Sequence, residues 1–102
     1  MQEQYVSKVK RIIKNIQYIN GRAMTFEKFV SKLVKAVEEL EKRGRGMHNA
    51  GIIDIIWQRV SNTELIQYIT ALKVQFQHQP HNYREVLQDI ASQVSSIGVG
   101  TF

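Results

Sequence analysis

The chain has 102 residues, of which 43% are apolar, and fourteen Lys and Arg against nine Asp and Glu give it a net charge of +5. That is one domain's worth of sequence, apolar enough to bury a core and too apolar for wholesale disorder. It has no cysteine, which excludes disulfides, thiolate zinc sites and a cysteine nucleophile.

Helical periodicity begins at once. Tyr5, Val9, Ile12, Ile16 and Ile19 step by four, three, four and three, Ile13 broadens the stripe, and Lys8, Lys10, Arg11 and Lys14 take the remaining surface. A first helix is expected over about 3–19, ended by the Asn20-Gly21 turn. Thr25 is placed to cap a second helix over 25–42, with Glu27 in its first turn and Phe26, Phe29, Val30, Leu33, Val37 and Leu40 as its buried stripe. Glu38 and Lys42 form an i,i+4 pair, and Gly44 suits the left-handed residue that closes a helix.

The stretch "AGIIDIIWQRV" comes next, with Ile52, Ile53, Ile55, Ile56 and Trp57 crowded around Asp54. Its β-propensity is high, yet no other segment alternates with period two to pair with it. A short helix over 50–60, enclosed on several sides, is the expectation. In "SNTE", Ser61 and Glu64 have capping-box spacing and open a helix over 62–77 with Leu65, Ile69, Leu72 and Phe76 inward and Ile66 and Tyr68 flanking. Pro80 stops it, Asn82 caps a last helix over 83–97, and Tyr83, Val86, Leu87, Ile90, Val94 and Ile97 form its stripe. Residues 98–102 read as a flexible tail. The sum is an all-α protein, one domain over 1–97 built as a compact bundle of about five short helices.

Chemistry-bearing patterns are scarce. His78 and His81 flank Pro80, which prevents a helical two-histidine metal site, and no carboxylate completes a set. Ser31 and Ser92 lack an activating histidine, Asp54 and Asp89 are single carboxylates, and no glycine-rich loop follows a strand. Neither catalysis nor a metal or cofactor is expected. No stretch approaches the roughly 18 apolar residues that span a bilayer, and the N-terminal sequence lacks the apolar centre of a secretion signal, so a cytoplasmic protein without a membrane partner is expected.

Two features carry functional weight. Residues 1–50 hold eleven Lys/Arg against five Asp/Glu, and residues 51–102 three against four, so the halves carry +6 and −1. A basic half can meet nucleic acid, or its lysines can simply solvate two amphipathic helices. The isoleucine run also has two readings: the centre of the bundle, or an interface in which Ile52, Ile53, Ile56 and Trp57 bury against a second copy.

"MTFEKFVSKLVKAVEELEKRG", "IIDIIWQRVSNTELIQYITALKV" and "YREVLQDIASQV", read in that order, resemble the Gag capsid region of copia-type LTR retrotransposons. The matching positions are Thr25, Phe26, Phe29, Leu33, Ala36 and Leu40, then Ile53, Ile56, Trp57, Asn62, Leu65 and Leu72, then Tyr83, Leu87, Ile90 and Val94. The similarity covers roughly residues 24–97. It implies one helical lobe of a structural protein whose copies dimerise and assemble further into a shell, an intracellular virus-like particle, around the element's RNA. The chain departs from the family in lacking a cysteine-histidine zinc knuckle and a readable retroviral homology segment. Any RNA contact is then expected to be electrostatic, through Lys8, Lys10, Arg11, Lys14, Arg43 and Arg45. The rival expectation is a nucleic-acid-binding helical domain that uses the basic first helix.

Overall fold

In a computed structural model, residues 2–78 and 82–97 are described. Pro80, His81 and the tail at 98–102 lie outside them, as does the side chain of Ile97. The order is α1 (Gln2–Asn15), α2 (Phe26–Lys42), α3 (Asn49–Arg59), a 3-10 turn (Thr63–Leu65), α4 (Ile66–His78) and α5 (Tyr83–Ile97). This is an all-α bundle of five helices. The chain is flat, 43 × 34 × 16 Å, and its shortest dimension leaves room for about two helix layers.

Side-chain and backbone caps set the helix ends. The Thr25 hydroxyl accepts from the Lys28 amide at 3.1 Å and starts α2. At the other end Gly44 has φ +71°, the Gly44 amide donates to the Glu41 carbonyl and the Arg45 amide to the Leu40 carbonyl. These two bonds satisfy carbonyls that the last turn leaves free. Asn20 Oδ1 accepts from the amides of Arg22 and Ala23, which closes the turn between α1 and α2. Asn82 Oδ1 accepts from the Arg84 amide, while Asn49 Oδ1, at the start of α3, accepts from the Tyr83 amide at 2.7 Å. The starts of α3 and α5 are thereby tied together.

α1 departs from expectation in both length and face. It ends at Asn15, because residues beyond it are drawn out to pair with the segment after α3. The Tyr18 amide donates to the Arg59 carbonyl at 2.8 Å and the Ser61 amide to the Tyr18 carbonyl at 3.0 Å, an isolated parallel bridge between Tyr18 and Val60. The buried stripe is Val6, Val9, Ile13 and Ile16, rotated by one residue from the expected one, so Tyr5, Ile12 and Ile19 stay exposed. Both stripes share Val9 and Ile16, and Ile13, expected at the edge of the first, is central to the second. The one chosen buries Val6 and Ile13, which have no polar atom to satisfy, and keeps Tyr5 at the rim, where its hydroxyl donates to Glu39 Oε2 and Arg43 lies 4.0 Å over its ring.

The core joins α1 and α2 on one side to α3 and α5 on the other, and α2 also packs on α5. Tyr18 meets Phe26 edge-on at 5.1 Å, and Phe29 packs beside both rings. Leu33, Leu40, Ile56, Leu65, Val86 and Ile90 are closed to solvent. Such burial stabilises by about 1.5–3 kcal/mol per large aliphatic side chain. The expected Glu38–Lys42 pair does not form. Lys42 reaches Glu39 at 3.8 Å, and Glu38 faces α5, where it pairs with Arg84 at 3.4 Å.

Asn62, not Ser61, starts the segment leading to α4. Asn62 is buried; its Oδ1 accepts from the Glu64 amide at 2.8 Å and its Nδ2 donates to the Ile19 carbonyl at 2.9 Å. The Ser61 hydroxyl is turned toward Gln17, whose amide donates to it, and toward the Tyr18 carbonyl. A side chain that satisfies a free helix amide and a distant carbonyl together outweighs one that can do only the first.

Candidate functional site

Four sequence-selected residues of the isoleucine run divide into two pairs. Ile52 and Ile56 are in the core, 3% and 0% exposed, so they cannot meet a second copy without unfolding the first. That part of the interface expectation is corrected. The cause is helical geometry: positions four apart share a face, and this face is the one turned toward the other helices. Ile53 and Trp57, also four apart, are half-buried at the edge of the core. Trp57 stacks on Phe76 with ring centroids 6.3 Å apart and an interplanar angle of 29°, which sets it alongside the C-terminal half of α4.

Besides Tyr5, Ile12 and Ile19, which lie on and just after the charged α1, apolar surface is left uncovered on α4. Ile66 and Val74 are 53% and 55% exposed and, with Thr70 between them, occupy i, i+4 and i+8 of one stripe. The Thr70 hydroxyl is turned back to donate to the Ile66 carbonyl at 2.9 Å. Across the rest of the exposed surface of α4, Gln67, Ala71, Gln75, Gln77 and His78 accompany Lys73, the one formally charged residue. The exposed side of α2 is different: Glu27, Lys28, Lys32, Lys35, Glu38, Glu41 and Lys42 cover it. Depletion of charge, more than apolarity as such, distinguishes the centre of an interface from ordinary surface. α4 is held to the body by its inner stripe, by the Trp57–Phe76 stack and by the Tyr68 hydroxyl, which donates to the Asp89 carbonyl at 3.2 Å. Burial, and secondarily the Asp89 carboxylate, push the Tyr68 phenol above its ordinary value, and burial alone does so for Tyr18.

A second surface collects positive charge. Lys8, Lys10, Arg11 and Lys14 are all exposed on α1. Arg43 and Arg45, expected with them, are engaged within the fold: Arg43 lies over Tyr5, and Arg45 pairs with Glu3. Arg59, which the sequence reading passed over, joins the set instead. An open groove of about 490 Å³ lies between α1, the α2–α3 connection and α3, with Lys10, Lys14, Arg45 and Arg59 among its walls. Its apolar lining is the half-buried Met47 and Ile55 together with the buried Ile13 and Leu40, and no carboxylate lines it. Arg59 Nε is buried without a hydrogen-bond partner. The signal for Arg59 was its place in the last turn of α3, but only the bridge at Tyr18 brings that turn beside α1.

Among the described residues, no three His, Asp or Glu side chains gather where they could hold a metal ion. No helix among them is long and apolar enough to cross a membrane. No family model, curated protein or solved structure matches the chain.

Proposed function

We propose that this chain is a structural, capsid-type domain that self-associates through the outer face of α4, with the basic face of α1 turned toward RNA enclosed by the assembly. The observation that carries the reading is the exposed stripe of Ile66, Thr70 and Val74 on α4, whose outer surface has a single formally charged residue. Identical chains pair by default through one patch about a two-fold axis. Thirteen residues make α4 about 20 Å long, and two such faces bury several hundred Å² together, short of the roughly 1,000 Å² of a stable interface. Trp57, half-buried against Phe76 of α4, would have to contribute the additional area. The sequence resemblance to copia-type capsid regions agrees with this role.

The test is an aspartate on the stripe. Ile66→Asp should leave helicity and thermal midpoint unchanged and abolish the oligomer in sedimentation equilibrium. An oligomer that survives in both Ile66→Asp and Val74→Asp sinks the α4 interface.

A nucleic-acid-binding domain is the second reading, favoured by the cations that gather around the groove. Filter binding over a salt series separates the two: tight binding by a non-associating chain, with a steep salt slope, favours the second reading.

A further inference from the structure

We infer that the groove between α1, the α2–α3 connection and α3 is a seat for single-stranded nucleic acid, with phosphates on its cationic rim and a base on its apolar floor. The inference rests on the basic face of α1 described above and not on self-association, so the two can fail separately.

Three observations carry it. First, the lining pairs opposite characters: the half-buried Met47 and Ile55 beside the cations Lys10, Lys14 and Arg59, without a carboxylate among them. A purely solvating set of lysines would not enclose an apolar floor, and a purely apolar groove would not gather three cations free of ion pairs. Arg45 also reaches the groove, but Glu3 already occupies it. Second, Arg59 stands half-buried in the groove wall without an ion pair, so a phosphate seated there would be its charge partner. Third, the groove is continuous with the outer strip of α1, because Lys10 and Lys14 border both it and the shallow surface beside Ser7 and Arg11. A site of about 490 Å³ that opens onto a cationic track fits a polymer of alternating anion and flat apolar body better than an isolated anion. A duplex presents its phosphates but keeps its bases stacked inside, and so cannot use the floor.

The inference replaces a purely electrostatic RNA contact with a mixed one, and the experiment reads that difference. Fluorescence anisotropy is measured on the full chain carrying Ile66→Asp, so that assembly does not contribute. The probes are a 5′-labelled oligouridylate, an RNA duplex with the same number of phosphates, and an abasic strand of the same length. The single strand should bind several-fold tighter than either comparator. Its affinity should fall with salt at a log–log slope of about −3 to −4, set by Lys8, Lys10, Arg11, Lys14 and Arg59 at roughly 0.7 per phosphate neutralised. Arg59→Gln should weaken the single strand several-fold and lower the slope by about 0.7, whereas Lys73→Gln on α4 should change neither. Equal affinity for single strand, duplex and abasic strand, no binding at all, or indifference to Arg59→Gln would each overturn the inference. If the single strand is preferred while wild type proves monomeric, the groove stands and self-association falls.

Discussion

Among the described residues, Asn62 is the polar side chain buried in the core. Its amide joins the start of the α4 segment to the carbonyl of Ile19, forty-three residues earlier in sequence. Asn62→Ala leaves the Glu64 amide uncapped and the Ile19 carbonyl unpartnered, at a cost of about 1–3 kcal/mol. In a domain of this size that lowers the thermal midpoint by roughly 5–15 °C. Asn62→Asp keeps the acceptor but sets a buried carboxylate oxygen against the Ile19 carbonyl, so its midpoint should also fall well below wild type; a midpoint equal to wild type in both variants would contradict the role. Tyr18 and Tyr68 give a second residue-scale expectation. Both phenols are held above the ordinary 10.0 chiefly by burial. The folded state therefore keeps protons that the unfolded state gives up, so their contribution is whole below about pH 10 and is lost as pH rises through the higher folded-state values. Denaturant midpoints should decline above that pH, less steeply in Tyr18→Phe, which keeps the ring contact with Phe26. A Tyr18→Phe profile as steep as wild type would remove Tyr18 from the explanation.

At the scale of the element, α3 and α4 divide core from surface along a line that a mutation pair can test. Ile56 is closed to solvent and Ile66 is half open, so the same aspartate has opposite consequences. Ile56→Asp buries a charge without a partner and should unfold the chain, with loss of far-UV circular dichroism. Ile66→Asp should keep the dichroism of wild type. A folded, cooperative Ile56→Asp would contradict the core assignment. How far these elements were legible follows from their periodicity. α2 and α5 each have a single clear stripe between good caps, and their bounds and inward residues were readable within a residue or so. α1 was not, because its isoleucines offer two stripes one residue apart, and the choice depends on Tyr5 finding Glu39 and Arg43. Its end was also hidden, since the bridge of Tyr18 to Val60 depends on a segment far away in sequence. The division of the isoleucine run needed the position of Phe76, which alone fixes where Trp57 stacks. Arg59 reached the groove by the same long-range route.

At the scale of the molecule, a fold 16 Å across its shortest axis offers two surfaces built from different residues, the charge-poor face of α4 and the basic groove. The central claim is that the α4 side takes a second copy of the chain. Size-exclusion chromatography with multi-angle light scattering over a hundred-fold range of loading concentration tests this most directly. The account predicts a wild-type mass that climbs from one chain toward two or more as concentration rises, and an Ile66→Asp, Val74→Asp chain that stays at one throughout. A wild-type mass fixed at one chain across the whole range would contradict it.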